Sequence, residues 1–178
     1  EEMYLSHGIT LIQDGLTDTG GDALLSAAHL KTEAVGYADL KNTPELIDKP
    51  CIGGYKIFLD GSPQGRTAWM LEPYASNTPD QPGYCGYPIY TDGEVTGFVR
   101  TALTQGRQLL AHCNGDGAAE QYIRCCRAAQ EETGLRVADI RPVMIHAQLV
   151  RREQLAEMKD LGIISSFFAA HLWYWGDV

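Results

Sequence analysis

Basic residues are scarce in this sequence. Lysine and arginine total 14 against 23 aspartate and glutamate residues, so the formal net charge of the 178 residues is −9. Nucleic-acid binding relies on a basic face that displaces counterions from the phosphate backbone. The charge balance therefore argues against a DNA or RNA partner.

Long hydrophobic runs are absent as well. The longest apolar stretch covers residues 162–175 and contains His171, so it is shorter than the roughly 20 residues that cross a bilayer. Residues 1–4 lack the basic segment and apolar run of a secretory signal peptide. We therefore expect no leader, no transmembrane segment and no membrane partner.

Cysteine motifs are missing too. The five cysteines are an odd number without zinc-finger spacing, and Cys125 and Cys126 are adjacent on a helical pattern, where both cannot face the core. We therefore expect reduced thiols in a cytoplasmic protein. Cys113 beside His112 does not indicate a thiol nucleophile, because neighbouring residues of a strand point to opposite faces.

The sequence does contain a regular alternation of strands and helices. At 44% hydrophobic content, residues 1–178 can bury the core of a single domain. Strands are predicted at residues 9–15, 35–40, 55–61, 108–114, 141–148 and 163–168, and helices at residues 22–30, 95–103, 117–133 and 151–161. This alternation predicts an α/β fold with a parallel sheet and crossover helices, either an open doubly wound sheet or a barrel.

Two observations bear on that choice. No G-x-G-x-x-G follows a predicted strand, which argues against a doubly wound nucleotide-binding domain. A closed (β/α)8 barrel needs eight strands and typically ~250 residues, so a barrel built from this chain would be partial. A proline-rich stretch without periodicity, residues 62–90, predicts a long loop of the kind that often serves function.

Three residues stand near the carboxyl ends of predicted strands: Lys56, His112 and His146. Parallel α/β proteins place ligands and catalytic groups at this edge of the sheet. A single histidine there is more often a satisfied polar residue than a ligand, and a lysine on an apolar face is costly to bury. Convergence of two imidazoles and an amine from three strands, however, suggests a metal site.

The residues around these positions resemble motifs of the amidohydrolase superfamily, in its amidohydrolase family 3 branch. The similar segments are Gly54–Ser62 (GYKIFLDGS) with Arg66-Thr67-Ala68, His112–Asp116 (HCNGD), Arg141–Gln148 (RPVMIHAQ) and His7–Thr10 (HGIT). They follow one another in a consistent order between about residues 5 and 175. Motifs in series are more specific than any one of them.

The resemblance implies a partial TIM-like (β/α)8 barrel and a metal-dependent hydrolase. It implies that Lys56 is a carboxylated lysine bridging two divalent metals, expected to be zinc, and that His112 and His146 bind the second metal. A metal-activated hydroxide would then cleave the carbon–nitrogen bond of a small-molecule amide, cyclic amide or related compound. Burial, which lowers a lysine pKa, favours carboxylation.

Two parts of that family's site have no match. No His-x-His pair occurs, and the eighth-strand aspartate that acts as metal ligand and proton shuttle is not identified, since Asp177 follows His171 too closely. The resemblance therefore implies the central portion of a barrel that lacks its first and last strands. We expect this chain alone to be inactive; the alternative is a non-enzymatic binding or regulatory module derived from such a barrel.

Three further residues are candidates around the site. Asp60 shares the face of Lys56 and is predicted to orient it by a hydrogen bond, although a turn role before Gly61 is an equal alternative. Arg66 and His171 are predicted to contact substrate, although a solvated arginine and a core or surface histidine are the alternatives. Exposed sheet edges also predict a homo-oligomer.

Overall fold

The computed structural model of the chain describes residues 1–75 and 77–176, so Asp177 lies outside the described residues. Its strands are β1 (Leu11–Thr17), β2 (Glu33–Asp39), β3 (Ile52–Phe58), β4 (Gln108–Cys113), β5 (Val143–His146) and β6 (Ile164–Phe167). Its helices are α1 (Glu2–Ser6), α2 (Thr19–Ala27), α3 (Asp92–Gln105), α4 (Asp116–Thr133), α5 (Arg152–Leu161) and α6 (Ala170–Trp175), and 3₁₀ helices cover Pro44–Asp48 and Val137–Ile140.

The strands form a parallel sheet in the order β1-β2-β3-β4-β5-β6, so each strand pairs with its neighbour in sequence. A doubly wound sheet reverses its strand order at a switch point. Here the order never reverses, and helices lie between successive strands. The fold is a curled half-barrel, which confirms the predicted partial TIM-like (β/α)8 barrel.

Period-two geometry separates the two faces of the sheet. On the outer face, strand side chains and helices build the hydrophobic core, whose strand members include Tyr55, Ile57, Leu59, Leu109, Ala111, Cys113 and Met144. On the other face Lys56 stands beside Leu110, and Phe58 beside His112. The core therefore lies between sheet and helices, and the inner face is left for polar groups.

Local signals set the helix ends. Thr91 and Glu94 form a capping box at the start of α3, which satisfies two backbone donors that a helix N-terminus leaves unpaired. Gly106, Gly134 and Gly162 end α3, α4 and α5 in left-handed conformations, where a side chain would be strained. The short helices α1 and α6 were not predicted by the sequence pattern.

The two outermost strands of the described residues are largely exposed. β1 and β6 each pair on one side only, and Trp173, Tyr174 and Trp175 of α6 are exposed beside β6. No helix within residues 1–75 and 77–176 is long and apolar enough to cross a membrane. Association through these edges stays a prediction.

Candidate metal centre

Lys56 is buried on β3. Only 4% of the residue is exposed, and its Nζ lies 4.8 Å from the centre of the Phe58 ring. Burial lowers the pKa of Lys56 to about 8, against a smaller opposing influence of Cys113. An appreciable fraction of this amine is therefore neutral near neutral pH.

His112 lies on β4 and is paired in register with Phe58 of β3. Its ring centroid is 5.2 Å from that of Phe58, and Nε2 lies 3.3 Å from the side-chain nitrogen of Asn114. Nδ1 faces Oδ1 of Asp60 at 3.2 Å without forming a hydrogen bond, and this buried nitrogen has no hydrogen-bond partner among the described residues. The ring is therefore confined between Phe58 and Asp60.

His146 reaches the site through an irregular backbone. It pairs with Cys113, whose side chain lies in the outer core, so strict alternation would turn His146 away from His112. Its φ of 72° breaks that alternation. The imidazole lies edge-to-face against that of His112, with ring centroids 4.8 Å apart. Left-handed conformations in non-glycine residues are uncommon and concentrate at functional sites.

The environment keeps His146 neutral. Burial, with smaller contributions from the nearby His112, His171 and Lys56, lowers its pKa to about 4, while Asp60 opposes them weakly. Neutral imidazole is the form that binds metals. At neutral pH this side chain is therefore ready to act as a ligand without losing a proton.

Asp60 joins three parts of the chain. Its carboxylate is 1% exposed and accepts hydrogen bonds from the backbone N–H groups of Trp69 (3.1 Å), Asn114 (3.0 Å) and Gly115 (2.7 Å). In the part of the chain that the structure describes, no hydrogen bond joins Asp60 to Lys56. The carboxylate instead faces His112, so its contact with the candidate ligands is through that ring.

The long loop predicted at residues 62–90 contains no helix or strand among its described residues, and it is folded tightly. Its Trp69 carbonyl accepts hydrogen bonds from the N–H groups of Gly117 (2.9 Å) and Ala118 (3.4 Å) at the start of α4. The Arg66 guanidinium lies over the rings of Tyr84 and Tyr74, at 5.3 and 5.9 Å from their centres. The loop is therefore attached to the barrel beside the candidate ligands.

A cavity of about 830 Å³ opens next to His146. The His171 ring lies 5.4 Å from that of His146, and both line this cavity together with Arg66. Its other lining residues are Pro63, Gln64, Met70, Glu72, Pro73, Tyr74, Ala75, Gln148, Leu149, Phe167, Phe168, Ala169, Leu172, Trp175 and Gly176. The structure thus brings Arg66, from the loop after β3, and His171, from α6, to one cavity.

Sequence reasoning overlooked several members of this region. Asn114 contacts His112 and donates to the Gly61 carbonyl at 2.8 Å, and Tyr74 and Tyr84 hold Arg66. The aromatic residues of a loop otherwise rich in proline and glycine were the available signal. Cys113 stays outside the site, because it is fully buried in the outer core and burial raises the pKa of its thiol well above the ordinary value.

The histidines do not by themselves complete a metal site. Within residues 1–75 and 77–176, no group of three or more His, Cys, Asp or Glu residues is arranged to hold a metal ion. The third nitrogen at this edge belongs to Lys56, whose charge as an ammonium would repel a cation. Any metal here would need both a chemical change at Lys56 and further ligands.

Fold and site together define a class of protein: a (β/α)8-type barrel whose polar side chains gather at the carboxyl ends of its parallel strands, where barrel enzymes carry their active sites. The family follows from comparison with known proteins. The chain belongs to the amidohydrolase family, whose model matches residues 4–177.

Individual relatives agree with this assignment. The putative amidohydrolase YtcJ of Bacillus subtilis is 31% identical over 101 residues, which are 57% of this chain and 17% of that protein. A crystal structure of an uncharacterized metal-dependent hydrolase from Pyrococcus furiosus is 26% identical, with a TM-score of 0.72 over 96% of this chain and 36% of that one. A counterpart from Pyrococcus horikoshii OT3, at 23% identity, has the same fold with a TM-score of 0.72 over 96% of this chain and 35% of that one.

Proposed function

We propose that this chain forms the central part of a metal-dependent amidohydrolase that cleaves carbon–nitrogen bonds in small-molecule amides, cyclic amides or related compounds. The observation that carries the proposal is the meeting of Lys56, His112 and His146 from β3, β4 and β5 at one edge of the half-barrel. Membership of the amidohydrolase family and similarity to a structure described as a metal-dependent hydrolase support it.

The donor set fits half of a two-metal centre. The imidazoles of His112 and His146 are nitrogen donors on adjacent strands, and the ring of His146 is held in its neutral form. Imidazole and carboxylate-type oxygen suit zinc, which we propose as the metal. A divalent ion held there would supply Lewis-acid chemistry, lowering the pKa of water and polarising the substrate carbonyl.

Lys56 would contribute as a carbamate. Its neutral amine attacks the carbon of carbon dioxide, a nitrogen–carbon bond forms, and one proton is released. The product is an anion with two oxygens, which can lie between two cations where an ammonium cannot. Burial of Lys56, which holds its pKa at about 8, makes the neutral amine available for this step.

Neighbouring residues would position ligands and substrate. The Asp60 carboxylate accepts hydrogen bonds from the backbone just after β4, at Asn114 and Gly115. Its contact with Nδ1 limits rotation of the His112 ring. Contacts from residues that touch a ligand but not the metal fix the direction of the ligating nitrogen. Arg66 and His171 line the cavity beside His146, and we assign both to contact with the substrate.

We propose that the chain by itself is inactive. It spans 36% of the Pyrococcus furiosus structure it matches, and its described residues do not form a complete metal site. This same observation favours the second candidate, a binding module that keeps the barrel fold without hydrolysis. The two candidates differ in whether Lys56, His112 and His146 bind metal in the presence of the flanking sequence that the gene encodes.

The experiment is to express the chain alone and with its flanking gene sequence, and to measure zinc content and hydrolysis of an amide and cyclic imide panel. We expect zinc and activity only in the longer protein, and loss of both on His112→Ala, His146→Ala or Lys56→Ala. His29→Ala, on an exposed histidine after α2, is the matched control and should retain both. Zinc and activity that survive His112→Ala and His146→Ala would disprove the assignment.

A further inference from the structure

Arg66 occupies a strained position on the wall of the cavity. Its φ is 54°, in the left-handed region, and its N–H donates to the Pro63 carbonyl at 2.9 Å to close a tight turn. Glycine would adopt this conformation without strain. An arginine is present instead, and its side chain reaches the cavity that also contains His146 and His171.

The guanidinium is held by neutral groups. It lies over the rings of Tyr84 and Tyr74, and Nη2 donates to Oδ1 of Asn77. Asn77 is fixed in turn, since its amide nitrogen donates to the Tyr84 carbonyl at 2.9 Å. The side chain is therefore oriented without any of its positive charge being neutralised.

Arg66 forms no salt bridge among the described residues; the pKa of Asp80 is lowered by the Thr78 hydrogen bond and, to a smaller extent, by the nearby Arg66 charge, but Asp80 does not pair with the guanidinium. Across residues 1–75 and 77–176, none of the ion pairs involves Arg66, and its buried Nε has no hydrogen-bond partner. A partly buried charge of this kind favours a ligand of opposite sign, and a guanidinium matches the geometry of a carboxylate.

The other residues that line the cavity indicate the chemistry of the rest of that ligand. Met70, Phe167, Phe168 and Leu172 contribute apolar surface, and Glu72 is the carboxylate on the wall. The chain carries a net charge of −9, which disfavours anions in general. A negative group in this cavity would therefore depend on Arg66.

We propose that Arg66 binds a carboxylate of the substrate, so that the preferred substrates are amides with an apolar body and a negatively charged end. The inference rests on the proposed function only in assigning this cavity to substrate. Arg66 acts in recognition, and the strained turn at residues 63–66 directs its guanidinium towards the cavity.

The test compares two probes of nearly the same shape, the anion 3-phenylpropanoate and the neutral 3-phenylpropanamide. Their affinities for the 178-residue chain are measured calorimetrically without added metal. The wild type should bind the carboxylate about tenfold more tightly, the effect of one charge-assisted hydrogen-bonded contact. Arg66→Gln should bind both probes equally, and Arg66→Lys should keep part of the preference because it keeps the charge.

Arg136→Gln is the matched control. It removes the same charge at an exposed position that does not line the cavity, so it should leave the affinities of both probes and their ratio unchanged. Equal affinities in the wild type, absence of binding by either probe, or a preference that persists in Arg66→Gln would overturn the proposal. If Arg66→Gln does not fold, as judged by circular dichroism, a preference in Arg66→Lys as large as that of the wild type would overturn it. Because no turnover is measured, failure of the hydrolase assignment would leave this result standing.

Discussion

Oδ1 of Asp60 lies 3.2 Å from Nδ1 of His112, while the same carboxylate accepts hydrogen bonds from the backbone at Trp69, Asn114 and Gly115. One buried side chain thus connects a candidate metal ligand to the end of β4 and to the loop that precedes α3. We therefore expect substitutions at Asp60 to affect both the stability of the fold and the affinity for metal.

Asp60→Asn should lower both the free energy of unfolding and the affinity for zinc. An amide nitrogen replaces one acceptor oxygen and faces backbone N–H donors, so at least one buried hydrogen bond is lost, at a cost of about 1–3 kcal/mol. In the longer protein, zinc affinity should fall by roughly 10–100-fold, as for other outer contacts of metal ligands. Urea unfolding and zinc competition measure these effects.

Asp160→Asn provides the control for Asp60, because it removes the same charge at an exposed position of α5. Its effect on the free energy of unfolding should stay within about 0.5 kcal/mol. Equal effects of the two substitutions would contradict the role of Asp60 as a buried acceptor.

Substitutions at His146 should separate backbone strain from ligand function. His146→Gly relieves the left-handed conformation with φ of 72°, so the unfolding free energy should change by less than about 1 kcal/mol even though a side chain is lost. His146→Val should destabilise the fold by about 1–3 kcal/mol, since a β-branched residue is strained there. Both variants should lose zinc in the longer protein; a glycine variant that retains zinc would exclude His146 as a ligand.

Stability of the metal-free chain should fall in mild acid. The pKa of His146 is lowered to about 4 in the folded state from an ordinary value of 6.5, so between these values the unfolded chain binds more protons. Stability then rises with pH across this window, is fully present above about pH 6.5, and is lost as pH falls towards 4.

His146→Asn removes the titrating ring and tolerates positive φ, so it is the comparison for this pH effect. Chemical denaturation with chelator present, at several pH values between 4 and 7, should give a shallower dependence in the variant. Identical slopes for the two proteins would show that His146 is not buried in its neutral form.

Gly115→Ala should detach the loop from the barrel. A Cβ at residue 115 would lie 2.0 Å from the carbonyl oxygen of Trp69, so the loop backbone or α4 must shift, at a cost of about 1–3 kcal/mol. Gly97→Ala in α3 is the matched control, because its Cβ would meet only the Arg100 guanidinium at 3.7 Å. That control should stabilise the helix by up to about 1 kcal/mol; thermal unfolding compares the two variants.

Much of the fold was predictable because its signals are local. The period-two runs around Lys56 and His112, the capping box at Thr91, and glycines at helix ends each depend on a few consecutive residues. The order of the strands in the sheet is not local, since alternation alone is compatible with an open sheet or a barrel. The family resemblance favoured the barrel, and pairing of each strand with the next one in sequence confirmed it.

The candidate ligands could be picked out from the sequence, because Lys56, His112 and His146 lie near the carboxyl ends of their strands, at the same edge of the sheet. Their proximity to one another arises only on folding. Strict alternation would have turned His146 into the outer core beside Cys113, and a left-handed backbone held by the surrounding fold turns it towards His112 instead. Likewise, the charge of Arg66 was visible in the sequence, but the contacts with Tyr74, Asn77 and Tyr84 that hold its guanidinium at the cavity form only on folding.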